Sequence, residues 1–353
     1  MTSILDSKAE NNAPFGFSIR PMKAVVHPDH DTQLALSYRW LSFLSTVYGF
    51  EFRVLEAEGA ALRLPFAPIH DIYGPRLVAV PFTDYIDPQA DDALIAEAAA
   101  FLRNSYPQHA ITLRLSGNYP GLLATGFEAI RSAYCHRLHF EGTAEQLWER
   151  TEHSFRKNVG KAMRGQVTVA PMNDQQGLDA FYCMLTRLRR HKFHALPHSR
   201  RHYENLLETF TRSSAGNLWV ARLGDKPIAA AFILHADGWL IDKMGVSDAA
   251  HLDLCPNNLL LWEVIKFGLA RGMRGLDMGL TPGDNAGLKR FKETLGCVAT
   301  PITFYRGLPS TFDQTRERAL RDMLTNITAT FVRDDVPDAA TQAAAEVLYR
   351  YFC

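Results

Sequence analysis

The sequence predicts an α/β fold of the layered α+β kind, laid down twice in one chain and followed by a helical tail. Three observations carry this. Apolar runs of strand length alternate with amphipathic stretches of helical period. The order helix, three meandering strands, helix, strand, helix, strand occurs over residues 33–140 and again over 178–305, without a residue-level repeat. Residues 311–350 lack strand patterning and read as helix. At 353 residues the chain exceeds one ordinary domain. The expected division is a disordered start at 1–14, a first domain at 15–142, a second at 143–310 and a helical extension at 311–353.

In order, 15–26 reads as a strand and 33–48 as a helix through Leu34, Leu41, Leu44 and Val47. Strands follow at 50–55, 61–68 and 77–82, parted by Glu58-Gly59 and Tyr73-Gly74-Pro75. Asp91 and Asp92 favour the start of an alanine-rich helix at 91–104. Strands at 111–115 and 134–140 flank a short helix from Gly121. Thr143 and Gln146 form a capping-box pattern opening a basic helical stretch to 164. A strand at 167–170 precedes helices at 178–192 and 201–212, then strands at 218–221, 227–235 and 239–246. An apolar helix spans 256–270. A short strand at 275–278 leads into a loop over 279–287, too rich in Gly, Pro and Asn for regular structure, and a basic turn at 288–293 stopped by Gly296. A last strand includes 303–305.

Composition excludes several classes. Basic and acidic residues balance at 38 each, so nothing global indicates a DNA or membrane partner. No run approaches the roughly 18 apolar residues of a membrane span. The first residues, MTSILDSKAENNAP, lack the basic start and apolar core of a signal peptide. The five cysteines are scattered and lack CxxC spacing, which argues against disulfides and zinc and fits a reducing cytoplasm.

Four features carry chemistry. Ten cations between His153 and Tyr203, among them Arg156, Lys157 and Arg164, face only Asp174 and Asp179. They make either a phosphate-binding surface or a solvated helix face. His191, His194, His198 and His202 have metal-like spacing, but Pro197 interrupts it and no thiol or carboxylate is near. A substrate-facing loop or surface histidines are expected there, and no metal. Asn257 and Asn258 follow Pro256, where either caps the apolar helix or helps its N-terminus bind an anion. On the basic turn, Lys289 and Lys292 share a face, while Phe291 turns to the core. A lysine there serves an oxyanion, a phosphate or only the helix dipole.

The segment GLDMGLTPGDNAGLKRFKETLG resembles the signature of the FemAB-like acyltransferases. SFRKNVGKAMRGQVTV, HALPHSRRHYENLL and LCPNNLLLWEVIKFGLARGMRGLDMG resemble that family's basic helix, its His-Gly-x-Pro loop and its Pro-Asn helix, in the same order. RLVAVPFTDYIDP is similar to a segment of the subgroup associated with exosortase and exopolysaccharide loci. The resemblance covers about 15–308 and implies two tandem GNAT-like domains. It implies acyl transfer from an acyl-CoA or aminoacyl-tRNA to an amine acceptor, small-molecule, peptide or sugar, in cell-envelope or exopolysaccharide metabolism. By the same resemblance, Lys292 and Asp277 are catalytic and Phe291 supports Lys292. Gly279, Thr281, Lys289, Asn257, Asn258, Lys243, His198, Asp84 and Tyr85 are substrate-binding, and Arg156, Lys157, Asn158 and Arg164 bind the anionic donor, with tRNA as a partner. Met278 stands where the family has an aromatic residue and Leu280 where it often has a cation. No coenzyme A loop with the family-type glycines precedes Pro256, and no long coiled-coil hairpin is visible. A catalytically silent scaffold, or a tRNA binder, is the alternative that these departures motivate.

Overall fold

The computed structural model describes residues 16–27 and 32–353. The expected disordered stretch 1–14 lies outside the described residues. Twelve strands form one sheet: β1 Phe17–Pro21, β2 Arg53–Ala57, β3 Arg63–Asp71, β4 Gly74–Val78, β5 Ala110–Ser116, β6 Phe127–His139, β7 Val167–Pro171, β8 Gly216–Leu223, β9 Lys226–Ala236, β10 Trp239–Ser247, β11 Gly275–Pro282 and β12 Val298–Gly307. The first-half helices are α1 Met22–Val25, α2 Tyr38–Tyr48, α3 Asp92–Ser105 and α4 Gly121–Ala124. The second half has α5 Ala144–Arg150, α6 His153–Arg164, α7 Gln175–Leu188, α8 Arg200–Thr211, α9 Pro256–Ala270 and α10 Ala286–Glu293; α11 Gln314–Phe331 and α12 Asp338–Leu348 form the tail.

The sheet runs β1-β2-β3-β4-β5-β12-β6-β11-β10-β9-β8-β7. Its centre is a reciprocal exchange. The last strand of the second half, β12, lies between β5 and β6 of the first. The last strand of the first half, β6, lies between β12 and β11. On each side a parallel pair flanks this centre, β4 with β5 and β10 with β11. The two halves are thus related by a pseudo-two-fold axis through the β6–β12 pair. Hydrogen-bonded exchange couples the halves more tightly than surface docking does.

One core joins α2 of the first half to α7 and α8 of the second. Trp40 and Phe43 of α2 meet Phe210 and His202 of α8 at ring-centroid distances of 6.3 and 4.9 Å. A separate core beneath α5, α6 and α9 includes Leu147, Phe155, Leu261 and Ile265. The Thr143–Gln146 capping box forms as its spacing dictates. In the tail, Arg306 and Arg321 bind the buried Glu317, and Arg76 donates to the Cys353 carbonyl at 3.1 Å.

Several sequence expectations change. The first strand stops at Pro21, where α1 begins, and the basic stretch 143–164 breaks into two helices at Thr151 and Glu152. The segment 279–282 is not loop. β11 continues through it by a bulge between Asp277 and Leu280, then pairs Thr281 with Tyr134. A bulge absorbs the positive φ of Gly279 (+64°) without ending the ladder.

The parallel pairs differ in one respect. In the first half, residues 79–85 leave the β4–β5 pair as an excursion with positive φ at Val80 and Phe82, and Ile86 rejoins β5 opposite Leu115. In the second half, β10 and β11 pair only over Trp239–Ile241 and then part.

Candidate active site

Beyond the point where β10 and β11 part, a cleft of about 610 Å³ lies along β10. Asp242, Met244 and Ser247 of β10 line it, with Asn257 and Leu261 of α9, Phe291 of α10, and Arg189, Lys192 and Phe193 beyond α7. Residues 189–193 form a π-helical turn continuing α7, ended by His194 in the left-handed region. Its widened winding presents Lys192 and Phe193 to the cleft, and such turns recur at functional sites. α9 begins at Pro256 without a side-chain cap. Neither asparagine caps it: Asn257 Nδ2 donates to Ser247 Oγ at 3.1 Å, and Asn258 is buried. Pro256 has no N–H and Asn258 N donates to the Cys255 carbonyl at 3.1 Å, so the Asn257 N–H is what that end of the cleft offers an anion.

Asp242 was not legible as a site residue. Its Oδ1 is sealed from solvent and has no hydrogen-bond partner among the described residues. Burial raises its pKa from 3.8 to about 6; Lys292 opposes this, and Asp84 and Asp277 add to it. A carboxylate poised near neutrality at the floor of a cleft suits a general base. The available signal was its place on the strand beside Leu240, an acid in register with a core residue.

Lys292 is the buried member of α10, at 3% exposure. Its Nζ donates to the carbonyls of Met278 (2.6 Å), Gly279 (2.9 Å) and Leu280 (3.3 Å). An ammonium has three N–H donors, and all three are committed to the bulge. Burial lowers its pKa, while Asp242, Cys135, Asp84 and Asp277 pull the other way. Lys289, one turn back, is exposed beside Glu293 at 3.8 Å, so the two lysines do not act together. Phe291 packs against the α9-side core and reaches the cleft.

Asp277 is equally saturated. Its Oδ2 accepts from Tyr85 (2.5 Å) and Arg137 Nε (3.1 Å), and its Oδ1 from Gly279 N (2.8 Å) and Cys135 Sγ (3.2 Å). Tyr85 in turn accepts from Arg137 Nη2. Burial raises the Tyr85 pKa, so its hydroxyl stays a donor. Lys243 donates to Phe82 O at 3.0 Å and lies 3.5 Å from Asp84. Gly279 accepts no side chain: a Cβ there would stand 2.9 Å from Asp84 Oδ2. The excursion 79–85 of the first half therefore meets the bulge of the second. It brings Asp84, Tyr85, Lys243, Asp277, Gly279 and Lys292 into one cluster.

Other expected residues lie apart from this cluster. Thr281 is buried with its Oγ1 3.1 Å from His136 Nδ1. His198 is half-buried among aromatic rings. Its Nδ1 lies 2.5 Å from the Tyr48 hydroxyl, and its ring stacks on His202 at 4.1 Å and contacts Tyr349 at 3.8 Å. Burial holds its pKa well below the usual histidine value, so the ring is neutral. Arg156 folds back on the carbonyls of Trp148 (3.2 Å) and Glu149 (3.0 Å). Lys157 and Arg164 are exposed on α6, while Asn158 is partly buried. The ten cations do not form one surface: α6 packs on the α9 side, α7 and α8 on the other, and Arg190 and Arg200 are paired with Asp338 and Asp179. Among the described residues no cluster of His, Cys, Asp or Glu could hold a metal ion, and no helix is long and apolar enough to cross a membrane.

Residues 149–293, which contain the cleft, Asp242 and the bulge, match the model of the acetyltransferase (GNAT) domain. The match spans 145 of the 353 residues and is a similarity of this segment to that family. The whole fold is shared with solved structures of low identity. FemX superposes with a TM-score of 0.57 at 14% identity, covering 77% of this chain and 92% of its own. L-PGS from Bacillus licheniformis gives 0.54 at 12%, covering 88% and 97%. A tandem GNAT protein from the clavulanic acid biosynthesis pathway gives 0.51 at 12%, covering 84% and 100%. The architecture is therefore mixed α/β with two tandem GNAT-like units and a helical C-terminal region. No curated protein sequence matches the chain.

Proposed function

We propose that the protein transfers an acyl group from a phosphate-bearing activated donor, an acyl-CoA thioester, to an amine. The donor lies in the β10–β11 cleft with its phosphates toward the uncapped start of α9 and its acyl carbon beside Asp242. The amine attacks that carbon, the C–N bond forms and the thioester C–S bond breaks. Asp242 takes the proton released by the amine and passes it to the departing thiolate, which leaves as the thiol. Backbone N–H groups on the unpaired edge of β10 face the developing oxyanion. No covalent enzyme intermediate is required, so proximity and electrostatics do the work. The observation that carries this reading is the partnerless Asp242 carboxylate at the cleft floor, within the segment matched by the acetyltransferase domain.

In this reading Lys292 is a positioning residue. It fixes the bulge and places a positive charge near Asp242, rather than touching the oxyanion itself. Lys292→Met should lower both stability, by at least about 2 kcal/mol through the carbonyls left unpaired, and turnover. Unfolding by denaturant and a transfer assay measure the two effects; turnover near normal would remove Lys292 from the site. An aminoacyl-tRNA donor is the second reading, motivated by exposed Lys157, Lys161 and Arg164 on α6, which packs on α9. A panel of acyl-CoA thioesters and charged tRNAs with primary amines decides between them. Folded protein that turns over neither donor class would overturn acyl transfer.

A further inference from the structure

Beside the bulge lies a hollow of about 40 Å³, formed by Thr83, Asp84, Tyr85, Arg137, Trp239 and Lys243. From this hollow, and resting on the acyl-transfer reading, we infer that the acceptor is a small zwitterion, an amine that also carries a carboxylate.

Arg137 is built into the hollow. Its guanidinium lies 4.7 Å from the Trp239 ring centroid and 5.5 Å from that of Tyr85. Its Nε is held by Asp277 and its Nη2 by Tyr85, but no described residue engages Nη1. The side chain as a whole is 30% exposed and lines the hollow. A guanidinium fixed by two bonds and two rings, with one open edge, is pre-organised for a carboxylate. The volume fits a group of that size. Asp84, Asp237 and Asp277 line the same hollow, which disfavours a doubly charged phosphate.

Asp84 supplies the other contact. Its side chain is 33% exposed, and its ion partner Lys243 stands off at 3.5 Å. Asp84 Oδ2 reaches the bulge, within 2.9 Å of where a Cβ on Gly279 would be, and the Asp242 carbonyl is 3.6 Å from that same point. An ammonium held by Asp84 therefore sits at the bulge, where the Asp242 backbone carbonyl approaches Gly279. With the ligand's carboxylate on Arg137 and its nitrogen on Asp84, which takes the ammonium proton, the free amine stands where β10 and β11 part. The ligand class is an amino acid, with Trp239 as one wall of its pocket.

The test uses the full chain without donor. Saturation-transfer NMR is run with the standard amino acids, their primary amides and the corresponding decarboxylated amines. At least one amino acid is expected to bind, with its amide and decarboxylated amine about 10- to 100-fold weaker, as loss of a charged hydrogen-bond pair implies. Arg137→Gln should abolish that preference, while Lys266→Gln on an exposed stretch of α9 should leave it intact. Binding of no amino acid overturns the inference. So do equal binding of acid and amide and a preference that survives in Arg137→Gln. Should the variant fail to fold, the acid–amide comparison on the natural chain decides alone. Turnover of simple amines without amino-acid binding removes the zwitterion reading and keeps acyl transfer. Amino-acid binding without turnover does the reverse.

Discussion

Asp242→Asn is expected to cut acyl transfer by about 10²- to 10⁴-fold, the usual contribution of a positioned general base. The natural protein should show kcat/KM rising as pH increases through about 6 and level above it, because the base acts only when ionised. The variant should be flat over that range. Stability should move the other way. The folded pKa of Asp242 is raised from 3.8 to about 6, so the folded state holds the proton more tightly than the unfolded chain. That favourable contribution is complete below 3.8 and is lost as pH rises through about 6. At neutral pH the ionised, partnerless carboxylate therefore burdens the fold by on the order of 2–3 kcal/mol. Asparagine carries no charge to desolvate, and the variant should unfold at higher denaturant than the natural protein at pH 7. Denaturant titrations at pH 4 and pH 7 check this. A variant that is less active and also less stable at pH 7 would point to damage rather than to a missing base.

Separating the chain at residue 142 is expected to leave neither half folded. A fragment of 1–142 loses both neighbours of β6, since β11 and β12 belong to the second half. A fragment of 143–353 loses both neighbours of β12, which are β5 and β6. Each would carry a central strand with two unpaired edges, a state prone to aggregation. The shared core between α2 and α8 is broken by the same cut. Circular dichroism and size exclusion of each fragment, and of both together, read the outcome. A monomeric 1–142 with a cooperative unfolding transition would contradict the exchange.

Local signals specify the elements that depend on near neighbours. Pro256 followed by an apolar run marks α9 at both ends, and Thr143 with Gln146 closes a capping box that forms as written. Motif resemblance singled out Asp84, Asp277 and Lys292 one by one, but their meeting at the bulge comes from the fold. What escaped depends on partners far along the chain. Residues 279–282 look like loop because Gly279 and Pro282 disfavour strand, yet β6 pairs with them through the bulge. The insertion of β12 has no local signature at all. Asp242 is one acid in a strand, and its character comes from burial and from its failure to meet a donor. Lys292 shows the reverse: its position was legible, but its commitment to three carbonyls depends on a bulge that periodicity does not encode.

The closure of the first half by Ile86 bears on stoichiometry. Two units of one architecture would suggest two equivalent ligand sites and some communication between them. The first unit, however, rejoins its parallel strands and packs the intervening residues against the second, so the second unit is the one whose described strands stay apart. On the acyl-transfer reading, a chain of two similar halves would then offer one donor site. Its saturation curve should be hyperbolic with a single equivalent bound, the first half serving as the wall of the other's reaction chamber.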